Sequence, residues 1–251
     1  MPRTDDIRLG DGTMLPILHE DRSVLAIDKP PGWMLVPYSW QKTDKNLLAA
    51  ITSSIQRGDF WARSRNLRFL RNIHRLDAET SGVLLLAKSL GAVNSLSRLF
   101  GSRRIEKRYL AVVTGEPPQT SWSCHRKLAP DPSRIGRMKI DARQGKPAET
   151  VFQVLRSERG LALIEARPVT GRTHQIRLHL ASCGLPVLGD CLYGGAPPAS
   201  ELSSNRLRLF PLALRAIEVS YRDPFTRKSV RIAAPSEAFL DAMGFSDGSG
   251  G

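Results

Sequence analysis

Paired cysteines, long apolar runs and acidic side chains are all in short supply here, and each shortage removes a class of function. The three cysteines, Cys124, Cys183 and Cys191, are odd in number and form no C-x-x-C pair. That leaves neither a disulfide framework nor a zinc knuckle and suits a reducing cytoplasm. No apolar stretch approaches the ~20 residues a helix needs to cross a bilayer. The opening Met1-Pro-Arg-Thr-Asp-Asp-Ile-Arg8 is polar where a secretion signal is apolar, so a soluble, cytoplasmic protein is expected. G-x-G-x-x-G and the phosphate-loop pattern are missing, which argues against a nucleotide cofactor. H-E-x-x-H and any Cys/His cluster are missing too, and no convincing set of carboxylates stands at metal-site spacing, so no metal is expected. A Ser-His-Asp hydrolase lacks its G-x-S-x-G.

What is present is positive charge. Lys and Arg number 37 against 24 Asp and Glu, a formal net charge of +13 with a pI near 10.3. Such a surface favours a polyanionic partner, nucleic acid first. The cations are scattered through the chain and not gathered into one polybasic block, which weakens the case for a membrane surface. At 251 residues, 41% hydrophobic, the chain can bury a substantial core, and no repeat or long linker divides it. One catalytic domain over residues 18–240 is expected. A short polar extension (1–17) and a Gly/Ser-rich tail (241–251) flank it, both too poor in apolar residues to order themselves. Gly194-Gly-Ala-Pro-Pro-Ala-Ser200 reads as a surface loop. No obligate protein partner is implied, and a monomer is expected.

Ser23–Ile27 reads as a strand stopped by Asp28-Lys-Pro-Pro-Gly32, since consecutive prolines and a glycine force a turn. Residues 46–57 carry Leu47, Leu48, Ile51 and Ile55 at helical spacing, and residues 90–100 repeat the pattern with Val93, Leu96, Leu99 and Phe100. Further strands are expected at 109–113, 150–155, 161–166 and 217–221. Strands in runs joined by short turns predict an α+β fold on a mixed or antiparallel sheet.

Several segments can carry chemistry. His74-Arg-Leu-Asp-Ala-Glu-Thr-Ser-Gly82 sets Asp77 near a His and an Arg and runs into the apolar Val83–Ala87. One reading is a carboxylate on a rigid mount, tuned by cations; the other is a polar turn whose Asp77 and Thr80 merely cap the chain. Thr170-Gly-Arg-Thr-His-Gln-Ile-Arg-Leu-His-Leu180 predicts a helix capped by Thr170 or Thr173 and closed at Gly184, with His174 and Arg177 on one face. A strand with alternating Ile176, Leu178 and Leu180 also fits, and a basic helix face is often only solvated. Arg103-Arg-Ile-Glu-Lys-Arg-Tyr109 interleaves cations with one aromatic, suiting phosphate contact and base stacking or plain packing. Asp190 and Tyr193 stand between glycines.

Taken in order, these segments resemble the RNA pseudouridine synthases usually called the RluA family. The likeness rests on Leu25-Ala-Ile-Asp-Lys-Pro-Pro-Gly32, His74–Gly82, Lys107-Arg-Tyr-Leu-Ala111 with Gly115, and Lys146-Pro-Ala-Glu-Thr-Val-Phe152. It continues through Thr170–His179 and Gly189-Asp-Cys-Leu-Tyr-Gly194, so that it spans most of residues 18–235. The resemblance implies a largely antiparallel mixed sheet in two halves around a basic cleft, no cofactor, and isomerisation of uridine to pseudouridine in structured RNA, ribosomal or transfer. It implies Asp77 as the catalytic carboxylate, Tyr109 beside it and Arg177 as its ion-pair partner. It makes Arg75 the residue that helps displace the target uridine, and His74, Thr80, Arg172, His174 and Gln175 further candidates for substrate contact. Some members carry an N-terminal S4 domain; with roughly 17 residues before the first motif, none is expected here. Two departures stand out: Leu35-Val-Pro-Tyr38 where members commonly have Val-His-Pro, and Leu214-Arg-Ala216 where they have Leu-His-Ala. A noncatalytic RNA-binding or assembly factor on the same fold is the alternative, and a nuclease using Asp28, Asp77 and Asp190 with a metal is a more distant one.

Overall fold

The apolar runs of the sequence become strands and its two amphipathic segments become helices. The computed structural model describes residues 6–35, 45–194 and 205–246. In chain order these form β1 (Asp6–Arg8), β2 (Met14–Glu20), β3 (Val24–Lys29), α1 (Leu47–Arg57), α2 (Phe60–Arg63), β4 (Arg71–Asn72), β5 (Ser81–Ala87), α3 (Leu90–Gly101) and β6 (Ile105–Thr114). They continue with β7 (Ser121–Cys124), β8 (Leu128–Pro130), β9 (Met138–Ile140), β10 (Thr150–Glu158), β11 (Leu161–Pro168) and α4 (Gln175–Ala181). The chain closes with α5 (Asn205–Leu209), β12 (Leu214–Arg222), β13 (Ser229–Ala233) and α6 (Glu237–Met243). The fold is α+β. The described residues cluster into two compact units, one reaching to Ile105 and taking in Glu218–Ala234, the other made of Glu106–Ile217 and the stretch from Pro235 onward.

In the first unit β1, β2, β3 and β5 follow one another antiparallel, β4 lies along β5, and β13 pairs with Glu218–Arg222 of β12. Every residue of β5 is buried, which explains the unbroken apolar run Val83–Ala87. Val24 pairs with Ala87, and the register runs on to Lys29 opposite Gly82. Val83 and Leu85 pack with Val24, Ala26, Ala92 and Leu96 in the core. Asn46 accepts a hydrogen bond from Ala49 N at the start of α1, and Ser89 accepts one from Ala92 N at the start of α3. Caps of this kind stabilise a helix by about 1 kcal/mol each.

Polar as the N-terminal stretch is, it forms a paired strand from Asp6 on. Asp6–Arg8 pair with Met14–Pro16, and Ile7 and Leu15 are fully buried. The turn between the strands closes through Leu9 N to Thr13 O and Thr13 N to the Asp11 carboxylate, so two buried side chains and a self-bonded turn suffice where apolar content is low.

The second unit holds the antiparallel order β6-β11-β10-β7 and the small pair β8-β9. The tail is likewise better anchored than its composition implied, as far as residue 246. Phe245 is buried, and Arg156 Nη1 donates to its carbonyl at 3.1 Å. The loop read at residues 194–200 lies, beyond Gly194, outside the described residues.

Candidate active site

Residues 73–80 form the loop between β4 and β5, and its conformation is fixed from both sides. Asn72 Nδ2 donates to His74 O at 2.7 Å, while His74 Nε2 accepts from Leu85 N at 3.0 Å. An accepting Nε2 puts the proton of a neutral ring on Nδ1. The same ring stacks on Phe100 of α3, centroids 4.8 Å apart at 18°. Leu76 is buried, Thr80 N donates to Asp77 O at 3.2 Å, and Gly82 takes φ +111°, which a side chain would resist. On this frame Asp77 is half-buried and Arg75 exposed.

Beneath the loop lies Lys29, at 0% exposure. Its ammonium donates to three carbonyls: Pro30 at 3.0 Å, Ala78 at 2.8 Å and Thr80 at 2.9 Å. Gly32 N also donates to Ala78 O, at 2.8 Å. The turn after β3 and the loop carrying Asp77 are thereby tied together through one cation. Burial pushes the Lys29 amine down to about 8, against the pull of Glu79 and then Asp77, which favour its charged form.

Tyr109 and the 170–180 segment lie in the second unit. Tyr109 is buried on β6 opposite Ala166 of β11. Two residues before it, Lys107 donates to Thr170 O at 3.0 Å, and burial lowers its amine to about 8. Gln175 is buried, and its side chain is engaged on every side. Oε1 accepts from Thr170 Oγ1 (2.6 Å) and Arg172 N (3.0 Å), and Nε2 donates to Glu149 O and Thr150 Oγ1 (both 2.9 Å). His174, at φ +53°, opens α4, and its Nδ1 lies 2.8 Å from Tyr193 Oη. That hydroxyl also accepts from Met138 N at 2.9 Å. Arg172 Nε donates to Pro147 O at 3.1 Å.

Arg177 is buried and forms a two-pronged bridge to Asp190, Nε to Oδ2 and Nη2 to Oδ1, each 2.7 Å. Asp190 Oδ1 accepts in addition from Leu192 N and Tyr193 N. Gly189 at φ +82° is required beside it, because an added Cβ would stand 2.1 Å from Pro211 O. The Arg177 fork meets the face of Tyr193, 5.3 Å from its centroid. The bridge takes two of the five guanidinium N–H donors.

The loop of the first unit therefore gathers His74, Arg75, Asp77 and Thr80, and one short stretch of the second gathers Arg172, His174, Gln175 and Arg177, with Lys107 of β6 tied to it. The structure gives several of these residues internal contacts that the sequence did not announce. Gln175, with four internal hydrogen-bond partners, organises the loop ahead of α4. Thr80 is 2% exposed, and its Oγ1 is buried without a hydrogen-bond partner among the described residues. His74 serves as a clamp between loop, β5 and α3. Arg177 has a carboxylate of its own in Asp190, a pairing 13 residues apart that no local periodicity announces. Neither Thr170 nor Thr173 caps α4; Thr170 Oγ1 is spent on Gln175. Lys29 and Lys107 were passed over as site residues because lysines are read as surface. The available signal for Lys29 was its place at the end of an otherwise apolar strand. Of the two departures, Leu35-Val-Pro-Tyr38 lies beyond Leu35 outside the described residues. Arg215 is buried, with Nε and Nη2 donating to Pro235 O at 3.0 and 2.7 Å, so this arginine serves the fold.

The strand order, the Asp77 loop and the Arg177–Asp190 bridge accompany a family match: residues 23–182 fit the RNA pseudouridylate synthase model. The chain belongs to that family. Among its curated relatives, the dual-specificity RNA pseudouridine synthase RluA of Pasteurella multocida is 32% identical over 222 residues, 88% of this chain and 93% of that protein. The ribosomal large subunit pseudouridine synthase C of Escherichia coli K12 is 34% identical over 233 residues, 89% of this chain and 67% of its own. Among solved structures, human RNA pseudouridylate synthase domain containing 4 superimposes with a TM-score of 0.71, at 24% identity, over 91% of this chain and 92% of that one; it supports the fold. Among the described residues no helix is long and apolar enough to cross a membrane.

Proposed function

We infer that the protein isomerises uridine to pseudouridine in ribosomal RNA, with Asp77 as the reacting carboxylate. The observation that carries the reading is a half-buried Asp77 on a loop held from below by Lys29 and from the side by His74, in a member of this family. The reaction breaks the N1–C1′ bond, turns the uracil and joins C5 to C1′; the C5 proton leaves and N1 gains one, so nothing is oxidised or reduced. A single ionised carboxylate serves attack at C1′, attack at C6 or removal of the C2′ proton. The target base has to leave its stack to reach it. Arg75, exposed on the same loop, is proposed to fill the vacated space. Arg177 is the counter-ion proposed for Asp77, its orientation set by Asp190; Tyr109 is proposed to flank the uracil, and Arg172 and His174 to meet the RNA backbone. Ribosomal RNA is favoured because the relatives named for a ribosomal target match across nearly the whole chain.

The test is to incubate the parent protein and Asp77→Ala with ribosomal RNA and map pseudouridine. We expect modification by the parent only; equal modification by both would sink the assignment.

A further inference from the structure

In the first unit, the end of α3 and the turn between β12 and β13 enclose an open hollow of about 340 Å³. Four of the residues lining it are arginines: Arg98, Arg104, Arg222 and Arg227. All four are exposed, and none forms an ion pair among the described residues. The remaining charge in the lining is Asp223, whose Oδ1 is committed to the turn, accepting from Phe225 N at 2.8 Å and Thr226 N at 2.6 Å. The turn is stiff: Asp223 N donates to Lys228 O, Arg227 N to Asp223 O, and Arg222 Nε to Arg227 O. Arg227 sits at φ +62°, a conformation that costs free energy in any residue but glycine. An arginine in the last turn of a helix is favoured by the helix dipole, which accounts for Arg98 and leaves three to explain. Like charges converging on one hollow repel one another unless an anion joins them. Guanidinium groups bind phosphate in two-pronged fashion, and a hollow of this size accepts a nucleotide-sized group, with Leu99 and Pro224 offering apolar surface to a ribose.

We propose that this hollow seats a phosphodiester of the RNA backbone, at a site separate from the loop that carries Asp77. The inference rests on the reading that the protein acts on RNA. A contact of this kind positions the strand without reading its sequence.

The test uses the full chain and three variants: Arg98→Gln/Arg227→Gln, Arg98→Lys/Arg227→Lys, and Arg8→Gln/Arg22→Gln. Arg8 and Arg22 are exposed in the same unit, so the third variant removes equal charge elsewhere. Thermal unfolding first confirms that each is folded. Affinity for a transcript of large-subunit ribosomal RNA is then measured across a potassium chloride series. We expect the hollow's glutamine pair to weaken binding about tenfold and to flatten the log–log salt slope by about one. The lysine pair should recover most of the loss and the surface pair should change little. Equal weakening by both glutamine pairs would reduce the effect to bulk charge and overturn the proposal. So would calorimetric binding of inorganic phosphate that disappears in the hollow's variant while RNA affinity is untouched, because the ligand is then a free anion. Pseudouridine formed by the parent on the same transcript reports separately: its absence would end the reading of function while leaving a measured difference in RNA affinity intact.

Discussion

Lys29 stands under opposing demands. Three carbonyls need its three N–H donors, while complete burial disfavours the charge that supplies the third. Its amine falls from the ordinary 10.5 to about 8 on folding. Between about 8 and 10.5 the unfolded chain therefore binds more protons at this residue than the folded chain does. Raising pH through that window stabilises the fold as far as Lys29 is concerned, and Lys107, lowered to about 8 by burial, acts in the same direction. The neutral amine, however, has two hydrogens for three carbonyls, so the turn bearing Asp77 loosens. We expect kcat to decline as pH rises from 7.5 to 9 with no matching fall in melting temperature. A parallel fall in both would assign the decline to unfolding. Lys29→Met should remove this alkaline limb and lower kcat on the order of 10–100-fold, the scale expected when a reacting group is displaced by about an ångström.

At the level of elements, α4 shows what local pattern can and cannot reveal. The spacing of Ile176 and Leu180 fitted a helix, with a strand left open beside it, and α1 and α3 were legible from their apolar spacing, because such signals lie within a few residues. The start of α4 was not legible. It depends on His174 at φ +53° and on the Gln175 amide reaching back to Thr170, Glu149 and Thr150, contacts set by tertiary placement. Strands β7, β8 and β9 escaped for a related reason, being three or four residues long with little alternation. The Arg177–Asp190 bridge is the most consequential of the hidden contacts. Asp190→Asn keeps an oxygen for Leu192 N and Tyr193 N but leaves Arg177 charged and buried; removing one partner of such a pair costs about 3–5 kcal/mol. Denaturant unfolding should show a loss of that size, and a loss below about 1 kcal/mol would mean that the bridge to Asp190 contributes little to stability.

For the molecule as a whole, net charge and motif order were enough to name the reaction, whereas composition did not announce the buried side chains near either end of the described residues. Ile7, Leu15 and Phe245 are buried within stretches that look too polar to fold, since one well-placed apolar side chain per strand can anchor a short hairpin. A charge of +13 also fixes how activity should respond to salt. Each neutralised phosphate releases bound counterion, so log(kcat/KM) should fall linearly with log salt. At saturating RNA, kcat should change little. A flat kcat/KM would place recognition in uncharged contacts.

The sealed position of Lys29 bears, finally, on how the enzyme ages. Acylating metabolites and reducing sugars attack solvent-accessible amines first, and this amine presents no accessible surface in the folded state. Chemical wear on the many exposed cations erodes RNA affinity gradually, while the fixture beneath Asp77 is spared for as long as the loop stays closed.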